Sequence, residues 1–143
     1  MTTAQTKQAE TLTDIKGQEG SIDRLTGPLL TFDLGAEIEQ LHREEHWRKD
    51  GRISKTLVKY SDFRIVLVLM QKGTLMQEHK ADARISIHAL SGKLRVRLPE
   101  KKVELSAGHL LVLEKALPHD VEAVEESAFL LSISWPHGGA PLS

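Results

Sequence analysis

The sequence predicts an all-β domain led by one helix, and three observations carry that prediction. Phe63-Arg64-Ile65-Val66-Leu67-Val68-Leu69-Met70 is an almost unbroken apolar run of strand length, as expected of a strand buried on both faces. Leu94, Val96 and Leu98 alternate with Lys93, Arg95 and Arg97, while Phe129, Leu131, Ile133 and Trp135 alternate with Leu130, Ser132 and Ser134. That period of two is the mark of a strand whose two faces meet different surroundings. Turn-forming residues separate these runs at steady intervals, at Ser61-Asp62, Lys72-Gly73, Ser91-Gly92, Pro99-Glu100 and Ala107-Gly108. Short strands punctuated in this way indicate an antiparallel sandwich or barrel.

In chain order, residues 1–26 are rich in Thr, Gln, Glu, Lys and Gly without a sustained hydrophobic period. Such a stretch buries too little apolar surface to offset chain entropy, so it reads as a disordered tail. Residues 27–134 form the domain, and residues 135–143, with two prolines and two glycines, read as a second tail. Gly27-Pro28-Leu29-Leu30-Thr31-Phe32-Asp33 is apolar enough for an edge strand. Asp33 then caps a helix over 33–50, with Leu34, Ile38 and Leu41 on its apolar face and Asp50-Gly51 as its stop. Trp47, near the end of that helix, fits the seal of a core or a dimer seam. From about Lys55 onward the pattern is strand.

Composition narrows the function classes. The 143 residues suit one domain, and nineteen Lys and Arg against twenty Asp and Glu leave a formal net charge of −1. A chain so balanced has no basic footprint for nucleic acid. It has no cysteine, which removes disulfides, thiol catalysis and thiolate metal sites. No apolar run is long enough to span a membrane, and the first residues lack a signal-peptide pattern, so a cytoplasmic protein is the expectation.

Two stretches carry a family resemblance. Gly73 to Gly92, with His79 inside it, and Gly108 to Ala123, with Pro118-His119 inside it, resemble the two motifs of the cupins. The resemblance covers about Lys55 to Ser134 and implies a double-stranded β-helix, the jelly-roll barrel, with one N-terminal helix ahead of it. Metal-holding cupins generally use three His and one Glu. Here the resemblance maps two of those onto His79 and His119, while Ala81 and Ile85 stand where the second His and the Glu would be. Glu114, Ala116 and Ala123 likewise replace the Pro, Gly and Asn of the second motif.

Two imidazoles without a carboxylate make a poor site for a retained ion, so the expectation is a weakly held divalent metal (zinc, nickel, iron or manganese) or none. Gln77 has the parity of His79 and is a candidate for contact with a bound group. His88 has the parity of Arg84 and Ser86, away from the interior, and Glu114 would have to fold back. The apolar replacements suit a small organic ligand with a few polar handles. A non-catalytic sensing or structural dimer that has lost its metal site is the alternative. Small cupins are commonly dimers, so the resemblance also implies a homodimer.

Other constellations do not compete. His42-Arg43-Glu44-Glu45-His46 matches the H-x-x-E-H pattern of inverted zinc peptidases, but those enzymes need a larger α/β domain and a distant third ligand. No serine shows a nucleophile elbow, and no glycine-rich phosphate loop is present. The stripe Lys93, Arg95, Arg97, Lys101 and Lys102 reads as a soluble outer sheet face rather than an anion site.

Overall fold

The computed structural model describes residues 25–79 and 82–136, the side chains of Glu78 and His79 excepted. Most of the first tail, Lys80, Ala81 and residues 137–143 lie outside the described residues. Two short helices come first, α1 (Leu34–His42) and α2 (Glu45–Asp50). Strands follow: β1 (Arg52–Lys59), β2 (Phe63–Met70), β3 (Leu75–His79), β4 (Arg84–Ser91) and β5 (Lys93–Arg97). Four more complete the order, β6 (Lys102–Ser106), β7 (Leu110–Leu113), β8 (His119–Ala123) and β9 (Ser127–Ser134). They form two antiparallel sheets, one ordered β1-β2-β9-β4-β7 and the other β3-β8-β5-β6. The all-β reading holds, and each strand predicted after Lys55 has its counterpart.

The apolar run of β2 is buried on both faces because two separate cores meet it. Val66, Val68 and Met70 point into the barrel with Ile85, Ile87, Ala89, Leu94, Val96, Leu105, Val121, Ala123 and Phe129. Leu67 and Leu69 point the other way, into a second core with Leu41, Trp47, Ile53, Leu57, Val58 and Ala128. The helices close that second core over the outer face of the larger sheet. Lys55 is buried on β1 with its Nζ 2.8 Å from Glu37 Oε1, tying α1 to the sheet beneath it.

The leading region differs from expectation in two ways. The helix is broken at Arg43–Glu44, where Glu44 is extended (φ −73°, ψ 145°). Leu41 and Trp47 are six residues apart, so one continuous helix would set them about 120° apart. The break lets both reach the same core, and both are buried. Asp33 caps α1 as expected, its Oδ1 accepting from Ala36 N at 3.1 Å, and Gly51 ends α2 with φ 73°.

Gly27–Asp33, expected as an edge strand, is irregular instead. Both backbone groups of Gly27 bond the Tyr60 hydroxyl rather than a neighbouring strand. Pro28 has no amide to add to a ladder. Leu30 packs against the outer core, so the segment's apolar character covers the sheet without joining it.

Candidate functional site

One end of the barrel gathers the starts of β2, β4 and β8 and the ends of β3, β7 and β9. Register across the larger sheet places Arg64 opposite Ile133. It places Ile133 opposite Ile85, and Ile85 opposite Leu113. These four residues form one cross-strand row just inside that end. Residues 114–118 then lead from Leu113 to His119, bringing the start of β8 to the same end.

His79 and His119 are register partners on β3 and β8. His119 alternates with the buried Val121 and Ala123, so its own side chain is on the interior face of β8. The ring of His119 is half-buried, with Nδ1 3.3 Å from the carbonyl of Leu117. A carbonyl can only accept, so Nδ1 is the donor in this bond and, in the neutral imidazole, Nε2 is the acceptor. The connection before it keeps an unusual backbone: Ala116 has φ 64°, the left-handed conformation glycine would adopt there without steric cost.

Gln77 does not join this pair. The β3–β8 register shifts between Met76 and His79, a bulge that takes up one extra residue and breaks the alternation linking positions 77 and 79. Its side chain is exposed. Glu114 is also turned away, its carboxylate 3.3 Å from Arg84 Nε at the surface. His88 lies on the outer face of β4, as the alternation predicts. His42 and His46 fall on different helices, and His42 instead rests against Trp47, with ring centroids 5.0 Å apart, and lies 3.4 Å from Glu126.

Sequence reasoning missed Arg64. It stands on β2 in phase with Val66, Val68 and Met70, so it faces the barrel, and it is only 7% exposed. Its guanidinium lies 5.0 Å from the ring centroid of Trp135. Its Nε is buried and finds no hydrogen-bond partner among the described residues. Burial holds its pKa below the ordinary arginine value, although a guanidinium keeps its charge at neutral pH. The signal was present as the one charged residue within the apolar run of β2. Because both faces of that strand are buried, periodicity alone did not show which core received it.

The other basic residues behave as the surface reading expects. On the outer face of the smaller sheet, Arg95 Nη2 is 2.8 Å from Glu104 Oε2 and Arg97 Nη2 is 2.7 Å from Glu122 Oε1. The bond from Arg95 holds the Glu104 carboxyl below its usual range and raises the arginine in turn. Within the stripe, Arg95 and Arg97 form a ladder of opposite charges with Glu104, Glu122 and Asp120 across β6, β5 and β8.

Ile85 belongs to the buried apolar cluster, where the resemblance implies a carboxylate ligand in metal-holding relatives. Among the described residues, which leave out the side chains of Glu78 and His79, no group of three or more His, Asp or Glu could hold a metal ion. A buried guanidinium in the same row as Ile85 adds repulsion toward any cation.

No protein-family description matches the sequence, and no curated protein does either. Solved structures do match in three dimensions. KdgF from Halomonas sp. is 23% identical with a TM-score of 0.56, the alignment covering 60% of this chain and 82% of that one. A conserved protein of unknown function from Streptococcus pyogenes is 21% identical with a TM-score of 0.63, covering 85% of this chain and all (100%) of the other. A cupin superfamily protein from Desulfitobacterium hafniense is 15% identical with a TM-score of 0.57, covering 59% and 77%. The double-sheet barrel is therefore the cupin fold. Likeness at this level of identity defines the architecture. Among the described residues no helix is long and apolar enough to cross a membrane.

Proposed function

We propose that this chain is a small cupin-fold binding protein that takes a small organic molecule at the His79/His119 end of its barrel. The two imidazoles supply polar contacts there, and a divalent ion is held weakly if at all. One observation supports this above the others. His79 and His119 stand in register at the barrel end, while the row beside them offers Ile85, Ile133 and Leu113 instead of carboxylates. Apolar walls with a few convergent polar groups favour an organic ligand, whereas two neutral donors leave the charge of a metal ion uncompensated.

Metal analysis and zinc titration of protein purified without an affinity tag test the reading. Dialysis against EDTA is expected to leave no bound metal, and zinc is expected to bind more weakly than about micromolar. His119→Ala is expected to weaken that binding further by about tenfold or more. Stoichiometric metal that survives the chelator would refute the proposal.

The same proposal includes a homodimer. Leu110 and Val112, each 63% exposed, lie on the outer face of β7 at the edge of the larger sheet. A second copy covering that edge would remove them from water and occupy its free backbone groups. The protein is expected to sediment as a dimer, and Leu110→Lys with Val112→Lys as a monomer. A monomeric parent protein would rule this part out.

A further inference from the structure

We propose that Arg64 anchors a carboxylate: the barrel end takes a small organic acid whose carboxylate meets this guanidinium and whose apolar body lies along Ile85, Ile133 and Trp135. The inference rests on the barrel end being the ligand site and names the chemical class that site accepts.

A charged group removed from water is tolerated when it is paired, and the other arginines of the barrel show the ordinary solution. Arg95 and Arg97 have Glu104, Glu122 and Asp120, Arg84 has Glu114, and Arg52 donates to the Leu75 carbonyl at 2.9 Å. Arg64 is more deeply buried than these, at 7% exposure, yet its Nε has no partner among the described residues. Its one described contact of this kind is the face of Trp135, which stabilises the cation but accepts no N–H hydrogen bond in the guanidinium plane. The guanidinium edge is thus left with donors to offer.

What it would accept follows from its shape and surroundings. A guanidinium presents parallel N–H groups in a fixed fork that matches the two oxygens of a carboxylate. Phosphate has the same complementarity but carries more charge and needs polar surroundings on every side. The row around Arg64 holds Ile133 and Ile85, and Trp135 lies over it, so only one small part of a ligand can be anionic. A monocarboxylate with an apolar remainder satisfies both conditions. It also explains the isoleucine at position 85, because a carboxylate side chain there would compete with the ligand for the same cation. A neutral His119 can accept at Nε2 from a hydroxyl of such a ligand.

The test uses the full chain and defined probes: butyrate and benzoate as carboxylates, benzamide as the neutral isostere, and inorganic phosphate. The readouts are the melting temperature and the Nε–H resonance of Arg64, assigned by its loss in Arg64→Lys. At millimolar concentration at least one carboxylate is expected to shift that resonance and raise the melting temperature, with benzamide inactive. Arg64→Met is expected to weaken carboxylate binding by about tenfold to hundredfold while keeping its melting temperature, since it removes an unpaired buried charge. Should Arg64→Met fail to fold, Arg64→Lys carries the test, because it keeps the charge and loses the fork.

The proposal is overturned if no carboxylate moves the resonance, if phosphate alone does, or if Arg64→Met binds the carboxylate as well as the parent. The two readings can fail separately. Carboxylate binding lost in His119→Ala but kept in Arg64→Met would preserve the barrel-end site and remove the anchor. Binding lost in Arg64→Met and unchanged in His119→Ala would preserve the anchor and remove the imidazole from the site.

Discussion

Gly92→Ala is expected to destabilise the protein by at least about 3 kcal/mol, enough to leave a marginally stable domain largely unfolded. Gly92 joins β4 to β5, where the chain passes from the larger sheet to the smaller, and its φ of +80° already disfavours any side chain. An added Cβ would stand 2.1 Å from the Glu126 carbonyl oxygen, 2.3 Å from Ser127 Oγ and 2.8 Å from Ser127 Cα. None of these is the free end of a flexible side chain. Ser127 is buried and bonds Lys93 N at 2.9 Å and Glu125 O at 2.7 Å, so relieving the clash would break the contacts that hold the two sheets in place. Gly73→Ala is the control. It has a similar φ of +88° but nothing within 4 Å, so its cost is expected to be only about 1 kcal/mol. Urea denaturation of both variants checks the difference, and equal losses would show that the close approach at Gly92 is not what matters.

Phe129→Ala is expected to cost about 3–5 kcal/mol, again read by urea denaturation. Phe129 is 0% exposed and central in the larger sheet, opposite Val68 on one side and Ala89 on the other. Ala89 and Ala123, in the same buried cluster, are too small to fill the space a phenyl ring leaves. β9 is paired with β2 along its whole length and with β4 from Ala128 to Ser134, which limits any inward collapse. A loss below about 1 kcal/mol would mean that the barrel interior yields more than its pairing suggests.

The strands were legible because their signal is local. In β5, Leu94 and Val96 alternate with Arg95 and Arg97, and the structure buries the first pair while the second pair meets carboxylates outside. Local counting also separated His88 from the interior, since nothing interrupts the alternation of β4 before it. It failed at Gln77, because one extra residue between Met76 and His79 breaks the alternation on which the count rests. It failed again in the leading helix, because the need to bury both Leu41 and Trp47 against one sheet arises only when that sheet is present.

The sequence by itself determined that this chain builds short antiparallel strands, that two histidines occupy matching places in two glycine-framed stretches, and that Ala81 and Ile85 stand where the resemblance implies a second His and a Glu. Those properties reside in residue identity, spacing and turn chemistry, which act over a few neighbours. Only the tertiary structure decided that His79 and His119 stand opposite one another, and that Arg64 faces the barrel rather than the helices. Register and facing depend on which strands become neighbours and on where a single extra residue is absorbed. These are long-range consequences of closing two sheets around one core, and no window of sequence contains them.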